Sequence, residues 1–191
     1  FGAKASVYPE ETLVPWLARA VGRPVRYTET RSESMNGLGH GRAQTQKLTI
    51  GGSRDGRVTA YQLDVVQDAG AFPRIGAILP FMTRMMLTGV YDIAAAELSS
   101  TAVVTNTVPI VAYRGAGRPE AAAAIERAMD LFAAEIGMDP VEVRRRNLIA
   151  ADRFPFATVT GTTYDSGDYE GGLDKLLAAV DYAALRFEQK Q

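Results

Sequence analysis

A glycine-rich turn led by an arginine is the segment best suited to chemistry. Arg114-Gly115-Ala116-Gly117 stands just before Pro119 and Glu120, a pair typical of the first turn of a helix. Glycine lets the backbone approach a ligand closely, and amides at a helix start favour anions. Arg114 would add a planar, permanently charged group for a phosphate or an oxo group. The alternative interpretation is a tight strand-to-helix turn with a surface arginine.

The remaining composition limits the chemistry that this chain can perform with its own side chains. It has 191 residues, no cysteine and one histidine, which excludes disulfides, Fe–S clusters, thiolate zinc sites and two-histidine metal sites on this chain. The net charge of −1 offers no basic field for nucleic acid. With 47% hydrophobic and 23% charged residues, the chain is typical of a globular protein. Carboxylates, arginines, backbone amides or a bound group must therefore carry any chemistry.

Several other segments are weaker candidates. Phe1-Gly2-Ala3-Lys4 is a small-residue turn before a helix, His40 between glycines is interpreted as a loop residue, and Arg144-Arg145-Arg146 as a solvated helix face. The run after Gly117 departs from the GxGxxG dinucleotide fingerprint. Four carboxylates carry no recognisable catalytic spacing: Glu29, Glu33, Asp64 and Asp68.

The elements that must position these residues begin with a helix. Apolar residues at helical spacing predict a helix over residues 9–22, with Thr12 as its cap, Pro15 in its first turn and Gly22 at its end. The segments that follow are predicted to be a short strand at 25–29 and a loop at 34–42.

The middle of the chain is predicted to consist mostly of strands. Residues 43–68 are typical of a hairpin with a type I′ turn at Asp55-Gly56. Period-two spacing predicts that one face of its second strand carries Thr59, Tyr61, Leu63 and Val65. A short helix near 81–87 and a strand at 98–105 are also predicted.

The last third of the chain is dominated by helix signals. One helix begins near Pro119 and ends at Gly137, and Asp139-Pro140 begins the next. A last amphipathic helix is predicted from residues at helical spacing: Leu173, Leu176, Leu177, Val180 and Ala184. The mixture predicts an α+β (mixed α/β) fold of β-hairpins and amphipathic helices, with a strand-rich part at 1–110 and a helix-rich part at 111–191.

A series of short segments, in this order along the whole chain, resembles one enzyme family. The segments are Phe1-Gly2-Ala3-Lys4, Gly22-Arg23-Pro24-Val25, Thr30-Arg31-Ser32-Glu33, Thr105-Asn106-Thr107, Ala112-Tyr113-Arg114-Gly115-Ala116-Gly117, Pro119-Glu120, Glu126-Arg127, Asp139-Pro140, Arg145-Arg146-Asn147 and Tyr164-Asp165-Ser166-Gly167. This pattern resembles the molybdenum-binding large subunits of the xanthine dehydrogenase/aldehyde oxidase family. The branch it resembles most is that of the aerobic-type carbon monoxide dehydrogenase large chains.

The resemblance implies a function that the composition alone does not. It implies a molybdenum hydroxylase that uses water to oxidise an aldehyde or an N-heterocycle carbon. The metal would be held by molybdopterin in its cytosine dinucleotide form, which agrees with the lack of cysteine. Electrons would pass to a small Fe–S subunit and a medium FAD subunit, in a dimer of heterotrimers with no nucleic-acid partner and no membrane span. The expected compartment is the cytoplasm, with the periplasm as the alternative.

The resemblance also assigns roles to individual residues. Phe1, Gly2, Arg114 and Gly115 are expected to bind the cofactor. The substrate pocket is expected to include Ala5, Met82, Ala116 and Gly117. No catalytic residue and no direct metal ligand is expected here, because the family's Gly-Gln-Gly cofactor segment would precede Phe1 and its catalytic glutamate would follow Gln191. The chain is therefore expected to be a fragment of a larger subunit, inactive by itself.

Departures from the family pattern narrow the expected substrate. Gly115 stands where carbon monoxide dehydrogenases have a copper-binding cysteine. Ala5 replaces a glutamate of xanthine-oxidising members, and Ala116 replaces their stacking aromatic residue. Their substrate-binding arginine falls near Met82, with Arg84 close by but out of register. These differences favour an aldehyde or N-heterocycle over carbon monoxide or a purine.

Two other functions fit the same residues. One is a non-catalytic binding or structural module of the same fold that has lost its cofactor site. The other is an unrelated nucleotide-binding domain in which residues 115–117 cradle a phosphate.

Overall fold

The computed structural model describes residue 3 and residues 5–190, which form two compact units. The first unit comprises the described residues up to 47, together with 64–84 and 99–121; the second comprises 48–63, 85–98 and 122–190. The helices are α1 (Pro9–Val21), α2 (Arg31–Gly37), α3 (Leu79–Met85), α4 (Arg118–Ile136), α5 (Pro140–Asn147), α6 (Tyr169–Ala179) and α7 (Tyr182–Glu188), with 3₁₀ turns at Ile75–Ile78 and Ala151–Arg153. The strands are β1 (Gln44–Gly52), β2 (Val58–Asp68), β3 (Ala95–Val103), β4 (Phe156–Ala157) and β5 (Thr163–Tyr164). The predicted mixed α/β class is confirmed.

A three-stranded sheet in the order β1-β2-β3 contains the predicted hairpin. Tyr61, Leu63 and Val65 alternate along the buried face of β2, and Val58 at its start is also buried. Thr59, predicted on this face, is exposed, and so is the next residue, Ala60. Buried and exposed residues therefore alternate regularly only from Tyr61 onward.

The turn of this hairpin lies where it was predicted but has a different type. A type I′ turn needs positive φ at both central residues, whereas only Gly56, with φ 91°, has it here. The Gly56 amide donates to the Ser53 carbonyl at 3.0 Å, and the Ser53 amide to the Arg57 carbonyl at 2.9 Å. The loop is therefore a wider one with glycine at its left-handed position.

Helix α1 begins three residues before its predicted cap. Pro9 occupies the first position, and the Glu11 carboxylate accepts from the Tyr8 amide at 2.9 Å. The prediction of Thr12 as the cap is therefore wrong, and Pro15 lies inside the helix. Gly22, with φ 67°, ends the helix as predicted.

The segment after α1 differs from both of its predictions. Residues 25–29 have no regular secondary structure, because a strand requires a hydrogen-bonded neighbour and the described strands do not pair with them. Residues 34–37, predicted as loop, are helical. A capping box causes this, since Thr30 Oγ1 accepts from the Glu33 amide at 3.3 Å and Glu33 accepts from the Thr30 amide at 2.7 Å.

Helices α4 and α5 supply much of the core of the second unit. One face of α4 is buried and carries Ile125, Met129, Phe132 and Ala133. Asp139 caps α5 as predicted, accepting from the Val141 amide at 2.8 Å. α5 ends at a fully buried asparagine, described below.

The last predicted helix is in fact two helices. Asp181 adopts a left-handed conformation with φ 46°, and its carboxylate caps α7 at the Ala184 amide. Neither α6 nor α7 contains a buried residue, and Leu176 and Val180 are exposed. The prediction of one amphipathic helix is therefore wrong, since two short helices occupy this stretch. Within the described residues, no helix is long and apolar enough to cross a membrane.

Candidate functional site

The turn singled out from the sequence, residues 114–117, is called the site loop and lies in the first unit. Three successive residues have positive φ: Gly115 at 92°, Ala116 at 29° and Gly117 at 81°. The Ala116 amide donates to the Tyr113 carbonyl at 2.7 Å and the Arg118 amide to the Gly115 carbonyl at 3.2 Å. An alanine with positive φ is disfavoured, so the surrounding structure must hold this loop in place.

The end of the site loop packs directly against α3. Gly117 is buried. A Cβ atom at this position would lie 2.6 Å from Met82 Cβ and 2.7 Å from both the Leu79 carbonyl oxygen and the Thr83 amide nitrogen. Only glycine allows this approach. The structure thus brings together Met82 and Gly117, two of the predicted pocket residues.

Arg42 also contacts the site loop. Its guanidinium donates to both carboxylate oxygens of Glu120, at 3.1 and 3.3 Å, and to the Arg114 carbonyl. Its Cζ lies 5.2 Å from the centroid of the Tyr113 ring. The Glu120 side chain is only 6% exposed. Sequence analysis missed Arg42, because nothing in its local pattern marks it.

Glycines surround the segment that leads into the site loop. A Cβ on Gly39 would lie 2.7 Å from Val111 Cγ1, one on Gly41 2.5 Å from Tyr113 Cβ, one on Gly70 2.6 Å from Pro109 Cα, and one on Gly76 3.0 Å from the Ile110 carbonyl carbon. The glycines around His40 therefore serve close backbone packing. They explain why residues 108–113 follow one defined path to the site.

His40 is a structural loop residue, as predicted. Its amide donates to the Pro109 carbonyl at 3.1 Å, and its carbonyl accepts from the Val111 amide at 2.7 Å. The ring Nε2 lies 3.0 Å from the Met35 carbonyl oxygen. The backbone of His40 thereby holds in place the segment that leads into the site loop.

Asp68 organises the turn that precedes residues 108–113, the segment leading into the site loop. Its carboxylate accepts from the Thr105 hydroxyl and the Gly70 amide, both at 2.7 Å, and from the Thr107 hydroxyl at 3.3 Å. The Thr105 and Gly70 donors hold the pKa of Asp68 below its usual value. The Thr105-Asn106-Thr107 segment therefore has a structural role.

Replacing Asp68 with asparagine is expected to lower stability at neutral pH by about 1 kcal/mol or less, because solvent screens this carboxylate. A lowered folded-state pKa gives stability that is present above the unfolded pKa of about 4 and lost as pH falls through the folded value. The difference between Asp68→Asn and wild type should therefore shrink toward pH 3. Thermal midpoints measured from about pH 3 to pH 7 test this, with the exposed Asp152→Asn as control. A difference that stayed constant with pH would contradict it.

The arginine run of α5 is less solvated than predicted. Arg144 is half-buried and pairs with Glu126 at 2.7 Å and Asp130 at 2.9 Å. Its neighbour Arg145 pairs with Glu170 at 3.4 Å. The interpretation as a solvated face therefore holds only for the exposed Arg146. The carboxylates facing Arg144 come from α4, which the sequence of α5 could not indicate.

The other predicted site residues are placed as follows. Arg114 and Gly115 are exposed in the site loop, Ala116 is half-buried, and Ala5 is exposed before α1. Phe1 and Gly2 lie outside the described residues. Among the described residues, no group of three or more histidine, cysteine or acidic side chains could hold a metal ion.

Comparison with known proteins decides the family. Residues 1–148 match the molybdopterin cofactor-binding domain. The chain belongs to this family. The resemblance to the xanthine dehydrogenase/aldehyde oxidase enzymes is thereby confirmed, and the alternative of an unrelated nucleotide-binding domain is wrong.

Relatives of this molybdopterin cofactor-binding chain are oxidoreductases. It is 37% identical over 193 residues to the carbon monoxide dehydrogenase large chain of Hydrogenophaga pseudoflava, with 99% of this chain and 24% of that one covered. It is 34% identical over 195 residues to the nicotine 6-hydroxylase large subunit of Paenarthrobacter nicotinovorans, with 100% and 24% covered. The chain spans about a quarter of the length of these relatives.

A solved structure shares the fold of this family member. Quinoline 2-oxidoreductase from Pseudomonas putida 86 superposes with a TM-score of 0.88 at 36% identity, covering 100% of this chain and 25% of that one. The chain is thus part of the molybdopterin-dependent oxidoreductase family, and its mixed fold is that of the family's molybdenum-binding domains.

Proposed function

We propose that residues 1–191 form part of the molybdopterin-binding domain of a large subunit that hydroxylates an aldehyde or N-heterocycle carbon with water. The observation that carries this proposal is the site loop of a chain in the molybdopterin cofactor-binding family. An arginine and three successive left-handed residues form a turn there, and its first two residues, Arg114 and Gly115, are exposed. A fixed backbone of this kind offers oriented amide donors to an anionic group.

The cofactor would be received by Arg114 and Gly115, with Phe1 and Gly2 contributing as the family resemblance implies. The fit is supported by the exposure of Arg114 and Gly115 in the loop. When bound, molybdopterin, proposed in its cytosine dinucleotide form, would supply the two-electron oxidation of the substrate carbon. The protein's own contribution is to hold and orient the cofactor and to shape the substrate pocket.

The substrate pocket is proposed to include Met82, Ala116 and Gly117, with Ala5. Ala116 and Gly117 are small, and Met82 is flexible and apolar, so this wall would accept a flat apolar ring or an aldehyde. Gly115 offers no thiolate for copper, which is why carbon monoxide is not the proposed substrate. The names of the nicotine and quinoline relatives are in line with an N-heterocycle.

The remaining parts of the enzyme would lie on other chains or segments. We propose a small Fe–S subunit and a medium FAD subunit as electron acceptors, in a cytoplasmic dimer of heterotrimers. The names of relatives as a large chain and a large subunit support a multisubunit assembly. The 191-residue chain by itself is proposed to be inactive and to bind no molybdopterin tightly.

A substrate screen of the purified full-length complex with an artificial electron acceptor tests the proposed function. We expect turnover of an aldehyde or an N-heterocycle, with carbon monoxide and purines much slower. Complex produced without molybdenum is the matched control and should be inactive. Fast purine oxidation with no aldehyde or N-heterocycle turnover would contradict the proposed substrate class. A complex free of molybdenum and of activity would favour the non-catalytic module instead.

A further inference from the structure

We propose that Arg42 is a positioning residue that keeps the Arg114–Gly115 peptide in one orientation, so that the Gly115 amide faces the bound cofactor. This inference rests on the proposed function of the site loop. It adds a residue outside the loop to the machinery that presents the loop. All of its contacts lie within the first unit.

One guanidinium group joins the residues before, within and after the turn. It stacks on Tyr113, donates a hydrogen bond to the Arg114 carbonyl, and pairs with Glu120 in the first turn of α4. The loop therefore cannot move away from α4 or from Tyr113 without breaking a contact to Arg42. A charge-assisted pair to a carboxylate that is almost fully buried is costly to break, because the carboxylate would be left without its partner.

The contact to the Arg114 carbonyl sets the direction of the next amide. A trans peptide is planar, so its C=O and N–H point to opposite sides. Because the Arg114 carbonyl is turned toward Arg42, the Gly115 N–H is turned away from Arg42. A donor held in this way requires no reorganisation when an anionic oxygen reaches it.

The loop requires such a contact because its own residues do not impose one conformation. Gly115 and Gly117 can adopt positive or negative φ with similar ease, so the Arg114–Gly115 peptide would be free to flip. Ala116, at φ 29°, is in a disfavoured conformation that must be held from outside. Arg42 supplies that external contact.

Arg42 is itself held in an unusual backbone conformation. Its φ is 69°, which is uncommon for a residue other than glycine. Its carbonyl accepts from the Gln44 amide at 2.9 Å, and the Gln46 side chain reaches the Glu120 carbonyl at 3.4 Å. A residue in such a conformation at a site loop points to a functional constraint.

Arginine is required here rather than any cation. Its planar fork offers separate nitrogens to Glu120 and to the Arg114 carbonyl while its face stacks on Tyr113. A lysine ammonium is a single point, so it would pair with Glu120 and release the carbonyl. Arg42→Lys thus separates the charge pair from the peptide contact.

The test compares Arg42→Lys and Arg42→Ala in the full-length complex with the exposed Arg19→Lys as control. Hydrogen exchange of the amides in residues 113–118 is measured first, because it reports on the loop whether or not the cofactor is bound. We expect exchange on the order of 10-fold faster in both Arg42 variants, since each loses the carbonyl contact, and unchanged in Arg19→Lys. Wild-type exchange in Arg42→Lys would overturn the proposal, including when Arg42→Ala fails to fold.

Steady-state kinetics then connect the loop to the reaction. We expect kcat per bound molybdenum in Arg42→Lys to fall on the order of 10-fold with KM nearly unchanged, as for a group that acts in the transition state. Faster loop exchange with unchanged kcat would overturn the link to catalysis. If the wild-type complex contained no molybdenum, the proposed function would fail, while the exchange experiment would still decide the role of Arg42.

Discussion

Replacing Asn147 with alanine is expected to lower the free energy of unfolding by about 3 kcal/mol. Asn147 is fully buried at the end of α5. Its Oδ1 accepts from the Val58 amide at 2.8 Å, and its Nδ2 donates to the Gly56 carbonyl at 2.8 Å and the Val143 carbonyl at 2.7 Å. The alanine variant would leave buried backbone groups without partners, and that is expensive inside a protein.

Urea denaturation followed by circular dichroism measures this effect. Asn36→Ala, at an exposed position in α2, is the matched control and should stay within about 0.5 kcal/mol of wild type. Asn147→Asp adds a second comparison, since a carboxylate can accept from Val58 but cannot donate to the two carbonyls. A change of less than about 1 kcal/mol in the free energy of unfolding of both Asn147 variants would show that the three Asn147 hydrogen bonds contribute little to stability.

Replacing Gly117 with alanine is expected to displace the site loop and to reduce kcat/KM more than about 10-fold, with a loss of about 2–4 kcal/mol in stability. Gly117 has φ 81°, where alanine is strained. The new methyl group would also meet Met82 Cβ at 2.6 Å and backbone atoms of Leu79 and Thr83 at 2.7 Å. Backbone atoms of α3 cannot rotate away, so either α3 or the loop must move.

The control for Gly117 is Gly37→Ala. Gly37 lies at the end of α2, has no positive φ, and has nothing within 4 Å of the position that a Cβ would take. Gly37→Ala should therefore leave activity unchanged. Met82→Gly should not rescue Gly117→Ala, because the backbone contacts remain. Wild-type kcat/KM and stability in Gly117→Ala would show that the loop tolerates the displacement.

Short-range features of the fold were predictable because neighbouring residues decide them. Gly22 ends α1, and Asp139 with Pro140 begins α5, through capping groups within a few residues. The hairpin followed from alternation on both sides of Asp55-Gly56. Some predictions were wrong because they depended on a distant partner, and others because a different local contact formed, as where Glu11 rather than Thr12 caps the start of α1. Residues 25–29 have strand-like composition but no described strand beside them, and Thr59 is exposed near the start of β2.

The site shows the same division between sequence and structure. The amino-acid sequence by itself determined the site loop, the family resemblance and the lack of thiolate ligands, because these depend on residue types and their order. Only the tertiary structure revealed Arg42, which is 72 residues from Arg114 along the chain. It also showed that Gly39, Gly41, Gly70 and Gly76 pack around the segment leading to the loop. Long-range hydrogen bonds and close backbone packing leave no periodic pattern in the sequence, so the conformation of the loop is decided by the folded chain.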